Sequence, residues 1–287
     1  MRGRNARARR HTMALPKITI IISVLNGGAT LQSCLDSVFR QGYASWEIVV
    51  MDGGSDDGTT AILRANAPRI ACWESKPDRG IYHAWNKALD HATGEWICFL
   101  GADDRFRDTD SLMRVAEALS DVPNDCRVAY ASVDVVDEEG TVLATVGRPW
   151  GEASEDFRHR MAIPHQATFH RRSLFEVRGK FDEAFRICGD YELLLRELSE
   201  GAPSFIKGLV PVTMGAGGVS DDPANVVRMT REFARARHMH GLTRVPPALS
   251  FRVFRARCRA WLTRALGPRA ADSVANVYRL IAGKPRL

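Results

Sequence analysis

The sequence predicts an α/β fold in which a mostly parallel sheet is sandwiched by helices and followed by a basic, helical C-terminal extension. Three observations carry this. Between residues 17 and 100, short apolar runs alternate with stretches whose apolar residues recur at helical spacing, the pattern of successive βαβ units. Each run ends in a polar loop rich in Gly and Asp, which is where sheets of this kind bind ligands. The chain has 287 residues, 45% of them hydrophobic and 26% charged, enough to bury one sizeable core.

The run 18–25 is the first strand. Basic residues precede it, but it is short, is interrupted by Thr19 and Ser23, and leads into Asn26-Gly27-Gly28, so it lacks the length and cleavage site of a signal peptide. Leu31, Leu35, Val38 and Phe39 follow at helical spacing behind Thr30, a residue suited to an N-cap, and 46–51 is the second strand. A helix from about Thr59, a strand at 70–73, a helix with Ile81, Trp85, Ala88 and Leu89 on one face, and a strand at 95–100 complete the repeat. Beyond Asp104 the pattern predicts a helix at 111–119 and a hairpin of 128–136 with 142–146 around Asp137-Glu138-Glu139-Gly140. A helix at 190–198 turns Leu194, Leu195 and Leu198 inward, and 214–224 reads as a loop. No run approaches the roughly 20 apolar residues of a membrane-spanning helix.

The loops after the strands hold the residues with chemistry. Asp103 and Asp104 are adjacent carboxylates at a strand end; their hard oxygens suit Mn²⁺ or Mg²⁺ shared with a phosphate, the alternative being a turn in Asx geometry. The loop 52–58 offers glycines for close backbone approach and Asp52 as an acceptor for a base or ribose, or it is a Gly-rich turn capped by Asp57 or Thr59. Neither G-x-G-x-x-G nor G-x-x-x-x-G-K-[ST] is present, which argues against a Rossmann dehydrogenase or a P-loop nucleoside triphosphatase.

Taken in order, the blocks SVLNGGATLQSCLDSVFRQ, WEIVVMDGGSDDGT, PDRGIYHAWNKALDHATGEWICFLGADD and PHQATFHRRSLFEVRGKFDEAFRICGDYELLLR resemble the inverting glycosyltransferases of family 2, which have the Rossmann-like GT-A fold. The resemblance covers about residues 17–200. It implies that Asp52 binds the nucleotide base, usually uracil, that Asp78 and Arg79 lie beside that base, that Asp103 contacts the ribose and that Asp104 holds the metal. Asp190 falls where the family carries its catalytic base, with Gly189 in place of the usual Glu; an N-cap is the alternative role for Asp190. His83 stands where many relatives have an acid. His165 and His170, in PHQATFHR, are candidates for contact with the acceptor or the diphosphate, or are packed histidines. The chemistry is coherent: a cation steadies the departing diphosphate, and a carboxylate deprotonates the acceptor hydroxyl.

Charge divides the chain. Residues 1–10 carry five Arg and no acid, residues 228–287 carry fourteen Lys or Arg against Glu232 and Asp272, and the centre holds 21 basic residues against 32 acidic. Residues 1–14 read as a disordered basic leader, 15–225 as the GT-A domain and 226–287 as the extension. Within the extension, a helix over 251–266 would gather Phe251, Phe254, Cys258, Trp261, Leu262 and Ala265 on one face, with Arg252, Arg257, Arg259 and Arg264 elsewhere. Such a helix binds anionic membrane or packs on the domain. No nucleic-acid module accompanies the arginines. The six cysteines show no C-x-x-C pair, which fits a reducing cytoplasm.

The function this predicts is transfer of a sugar from a nucleoside diphosphate, UDP above all, to a saccharide or lipid-linked acceptor in bacterial surface polysaccharide or glycolipid synthesis, in the cytoplasm or on the inner face of its membrane. Two alternatives stand beside it. A nucleotidyltransferase would carry a basic Gly-rich loop after the first strand, whereas residues 26–30 hold no Lys or Arg. A non-catalytic membrane-tethered interaction protein would release no nucleoside diphosphate.

Overall fold

The computed structural model describes residues 15–216 and 225–243. The basic leader 1–14, the amphipathic helix 251–266 and residues 217–224 of the 214–224 loop lie outside the described residues.

The chain begins with β1 (Ile18–Val24), α1 (Leu31–Phe39), β2 (Trp46–Asp52), α2 (Thr59–Asn66), β3 (Cys72–Ser75), α3 (Ile81–Leu89) and β4 (Trp96–Gly101). β5 (Arg105–Phe106), α4 (Ser111–Ser120), β6 (Val128–Tyr130), β7 (Val133–Val136), β8 (Val142–Val146), α5 (Trp150–Phe157), β9 (Thr168–Arg171), α6 (Arg172–Arg178), α7 (Gly189–Leu198), β10 (Ser204–Phe205), β11 (Val212–Gly215) and α8 (Val226–Met239) follow. The main sheet has seven strands in the order β10-β6-β9-β4-β1-β2-β3. β3, β2, β1 and β4 are mutually parallel, and β9 runs antiparallel between β4 and β6. Ile18, Ile20, Ile21 and Ile22 are wholly buried because helices cover both faces, as a parallel sheet requires. Two apolar clusters result, one packing α1 and α4 against the sheet and the other α3, α5 and α7.

The hairpin expected from 128–136 is corrected. Only β7 pairs with β8, in a second sheet of order β5-β11-β7-β8, whereas β6 belongs to the main sheet. The change of sheet occurs at Ala131 and Ser132, whose N–H groups bond to Ala167 and Leu209 instead of continuing one ladder. The face of α3 is corrected as well. Tyr82, Ala84, Trp85 and Ala88 are buried while Ile81 is exposed, because the Tyr82 ring stacks on Phe181 and Trp85 packs at a tilt against Phe99.

At the opposite end of the sheet from the Gly-rich loops, Glu47 ties the starts of three parallel strands together. It accepts from Lys17 (2.7 Å), Thr19 (2.6 Å), the Thr93 N–H (2.6 Å) and the Gly94 N–H (3.2 Å). These bonds hold its carboxyl down at about 2 against the cost of burial. Among the described residues no helix is long and apolar enough to cross a membrane, and Cys34, Cys72, Cys98, Cys126 and Cys188 are free thiols.

Candidate active site

Strand order reverses between β1 and β4, and at such a switch point the loops leaving the carboxyl edge part to form a crevice. The loops after β1 and β2 are locked to each other. Asp57 accepts from the Gly28 N–H (2.7 Å) with one oxygen and from the Thr59 N–H and hydroxyl (3.1 and 2.6 Å) with the other, while the Asn26 N–H donates to Ser55 (2.7 Å). A side chain at Gly28 would meet the Asp57 carbonyl at 2.7 Å. This glycine therefore serves contact between two loops, and Asp57 caps the start of α2 from outside it.

Asp52, the last residue of β2, is 0% exposed. Its carboxylate accepts from the hydroxyl and N–H of Ser55 and from the Ser75 hydroxyl (2.5 Å) at the end of β3. Two serines thus fix it at the strand edge, and sequence reasoning found neither; Ser75 sits two residues after the expected end of its strand. Next to it, Gly54 has φ +88 and packs against Pro77, a conformation that only glycine adopts cheaply. The Asp78 carboxylate comes within 3.7 Å of the β-carbon position of Gly53, which also touches Leu25, 66% exposed. Lys87 (2.8 Å) and His83 Nδ1 (3.0 Å) hold Asp78, so His83 serves as a partner of that carboxylate. Arg79 points to Glu183 (2.6 Å).

After β4, the chain turns tightly over residues 101–104. The Gly101 N–H donates to Asp104 (2.8 Å) and the Asp104 N–H to the Gly101 carbonyl (3.1 Å). This is a backbone turn closed back on itself by the Asp104 side chain rather than an Asx turn, and it buries Asp104 to 4% exposure while Asp103 stays exposed. One oxygen of each carboxylate lies 2.7 Å from the β-carbon position of Gly101, so the pair converges on one point. Burial first, and the neighbouring Asp103 second, push the Asp104 carboxyl up to about 7. A cation between or beside the two would relieve that repulsion. Among the described residues no cluster of three or more His, Cys, Asp or Glu forms a complete cage. One or two carboxylates at a strand end are nonetheless the protein share that Mg²⁺ or Mn²⁺ takes when phosphates and water supply the rest.

Asp190 is joined to this edge through α3. It lies in the first turn of α7, whose N-cap is Cys188, so it is not the cap. Its Oδ1 accepts from the Tyr191 N–H (2.8 Å) and lies 3.2 Å from the Tyr82 hydroxyl, which is also 2.6 Å from the Ile187 carbonyl. Gly189 explains its own departure from the family pattern: a side chain there would meet the Tyr82 ring at 2.8–2.9 Å. Burial pushes the Asp190 carboxyl up to about 6 against the pull of those hydrogen bonds, which suits a group that must take a proton near neutrality.

The two histidines are not brought to the open edge. His170 is 0% exposed on β9, opposite Ile97 near the start of β4, and is enclosed by Phe99 and Phe175. His165 stacks on Trp85 and Phe99, with its ring 5.2 Å from that of His170. Burial pulls His165 down to about 3 and His170 well below its ordinary value, so both are neutral.

The sequence model of glycosyl transferase family 2 matches residues 19–196. A PGL/p-HBAD biosynthesis glycosyltransferase of Mycobacterium tuberculosis is 36% identical over 196 residues, 66% of this chain and 73% of its own length. Chondroitin synthase of Pasteurella multocida is 28% identical over 193 residues, 66% of this chain and 20% of that protein. Among solved structures, a mannosyltransferase of Pyrobaculum calidifontis in complex with GDP-Man and Mn²⁺ superposes with a TM-score of 0.61 at 20% identity, covering 94% of this chain and 76% of that one. S. aureus TarS 1-349 in complex with UDP-GlcNAc gives 0.62 at 15% identity, over 86% and 73% of the respective chains. At those identities the likeness is one of fold.

Proposed function

This chain belongs to glycosyltransferase family 2, and we propose that it transfers a sugar, with inversion, from a UDP-linked donor to a saccharide or lipid-linked acceptor of bacterial surface polysaccharide or glycolipid synthesis. The observation that supports this reading is that Asp52, Asp78, Asp103 and Asp104 lie at or just after the carboxyl ends of β2, β3 and β4, with Asp190 hydrogen-bonded to Tyr82 at the start of α3. The M. tuberculosis relative named for PGL/p-HBAD biosynthesis supports the acceptor class. The fold neighbours hold UDP-GlcNAc in one case and GDP-Man with Mn²⁺ in the other. In this reading Asp52 pairs with the base, the Asp78-Arg79 segment walls its pocket and Asp103 contacts the ribose. Asp104, with Asp103 beside it, would hold Mn²⁺ or Mg²⁺, whose chemistry when bound is to neutralise the leaving diphosphate. Asp190 takes the proton of the attacking hydroxyl, and Tyr82 orients it. His165 and His170 are both neutral and packed, His165 backing Trp85 and His170 backing Phe99.

The catalytic unit takes in α8, whose Glu232, Ala236 and Arg237 are buried, so the unit expected over 15–225 extends past 225. The basic residues beyond α8, ten Lys or Arg over 244–287, hold the enzyme on anionic lipid at the cytoplasmic membrane face, each basic residue near the surface contributing about 1 kcal/mol. Co-sedimentation with anionic vesicles across a salt series tests that attachment, and no lipid-dependent pelleting at low salt removes it. The donor is tested by thermal shift with nucleoside diphosphates and nucleotide-sugars, with and without Mn²⁺, since a ligand of the native state raises the melting temperature. UDP compounds should shift it more with Mn²⁺ than without. A shift with GDP compounds alone would replace the donor, and no shift with any nucleotide would remove the reading.

A further inference from the structure

Glu232 lies on α8, beyond every motif of the family match, and is buried. Its carboxylate faces the turn that leads into α7. One oxygen accepts from the N–H groups of Arg186 (3.1 Å), Ile187 (2.8 Å) and Cys188 (2.9 Å), and the other from Arg186 (3.0 Å). A helix start leaves N–H groups without partners, and the usual remedy is a side chain at the N-cap. The Cys188 side chain makes no such bond; Glu232 instead fixes the approach to the helix, binding the N–H of the N-cap residue and those of the two residues before it with charge-assisted bonds. A second clasp ties the same two helices: His240, at the C-cap of α8, meets Glu192 of α7 (3.0 Å), whose other oxygen pairs with Arg196 one turn on (2.9 Å).

The turn held by Glu232 is the one that places the base. The Ile187 carbonyl and Asp190 Oδ1 share the Tyr82 hydroxyl, so the Glu232 carboxylate, the 186–188 backbone, Tyr82 and Asp190 form one connected network. We propose that Glu232 is a positioning residue for Asp190, fixing from α8 the turn that aims the catalytic carboxylate. This rests on the reading of Asp190 as the base. The ionisable groups facing Asp190 are Tyr82 from α3, Cys188 from its own turn and Glu232 from α8. The Glu232 charge raises the Asp190 carboxyl, so its removal lowers it.

The test compares Glu232→Ala, Glu232→Gln and Asp190→Asn in the full-length chain. Readouts are the circular-dichroism melt, UDP affinity with Mn²⁺, and the pH profile of UDP-sugar turnover. Because Asp52 and Asp104 are anchored on other elements, UDP affinity should stay within about twofold in every variant, while turnover of folded Glu232→Ala falls at least about tenfold through misplacement of the base. Glu232→Gln, which can still accept with its amide oxygen, should recover most of the rate but shift the acid limb to lower pH. A purely structural glutamate would lower the melt and leave both turnover per folded molecule and the acid limb alone; that outcome, with Asp190→Asn inactive, overturns the proposal. Should Glu232→Ala fail to fold, an unmoved acid limb in Glu232→Gln overturns it equally. Full turnover in Asp190→Asn would instead remove the reading beneath it.

Discussion

Replacing Asp190 with Asn should slow the enzyme and stabilise it at once. The Asp190 carboxyl, ordinarily near 3.8, is pushed up to about 6 by burial, with the Tyr191 N–H and the Tyr82 hydroxyl pulling the other way. An acid raised on folding gives up its proton more readily in the unfolded chain. Its contribution to stability is therefore fully present below pH 3.8 and is lost as pH rises towards 6. At about 1.36 kcal/mol per unit, a rise of roughly two units costs the native state about 2–3 kcal/mol at neutral pH and above. Asn carries no such charge and still accepts a hydrogen bond from Tyr191. Asp190→Asn should thus melt above wild type at pH 8, match it at pH 4, bind UDP normally and lose turnover by about a hundredfold or more. In wild type, kcat/KM should rise with pH to a plateau, with its midpoint at about 6. The assay is a melt series from pH 4 to 8 beside a pH–rate profile. Equal melting of both proteins at pH 8, or full turnover in the variant, would refute the reasoning.

Gly189→Ala should cost both stability and turnover, because the new methyl meets the Tyr82 ring at 2.8–2.9 Å; a melt and rate unchanged from wild type would show that Tyr82 moves aside freely. Glu47→Gln should destabilise by at most about 3 kcal/mol at pH 7, less for the solvent-facing Lys17 partner. Since Glu47 is held at about 2, below its ordinary 4.5, that stability is present above 4.5 and fades as pH falls towards 2, so wild type and variant should converge in acid melts. Asp104→Ala should lose metal-stimulated turnover while keeping its fold, and Asp103→Ala should do so less severely; full activity of Asp104→Ala in metal-free buffer, checked by Mn²⁺ titration, would remove the metal role.

The parallel half of the fold was legible because β1, β2 and β4 are almost wholly buried and read as mainly apolar runs, while the edge strand β3 is only half-buried. The second half was less so. β6 and β7 are contiguous in apolar pattern but belong to different sheets, and periodicity carries no sign of which ladder a strand joins. β9 was missed for a related reason: its residues Thr168, Phe169 and His170 are all buried, and two of the three are polar. The residues that anchor the site resisted sequence reading too. Ser55, Ser75 and Tyr82 act through contacts to residues distant in the chain, and Glu232 does so across 44 positions to Cys188. What the sequence displayed well was the carboxylates themselves, because strand ends and loop composition mark them locally.

Inversion by a carboxylate at Asp190 is tested most directly by following the hydrolysis of an α-linked UDP-sugar with Mn²⁺ by proton NMR, with water as the acceptor. The free sugar released first should be the β anomer, formed by wild type and not by Asp190→Asn. First release of the α anomer, or release of the β anomer at equal rates from both proteins, would contradict single displacement with Asp190 as its base.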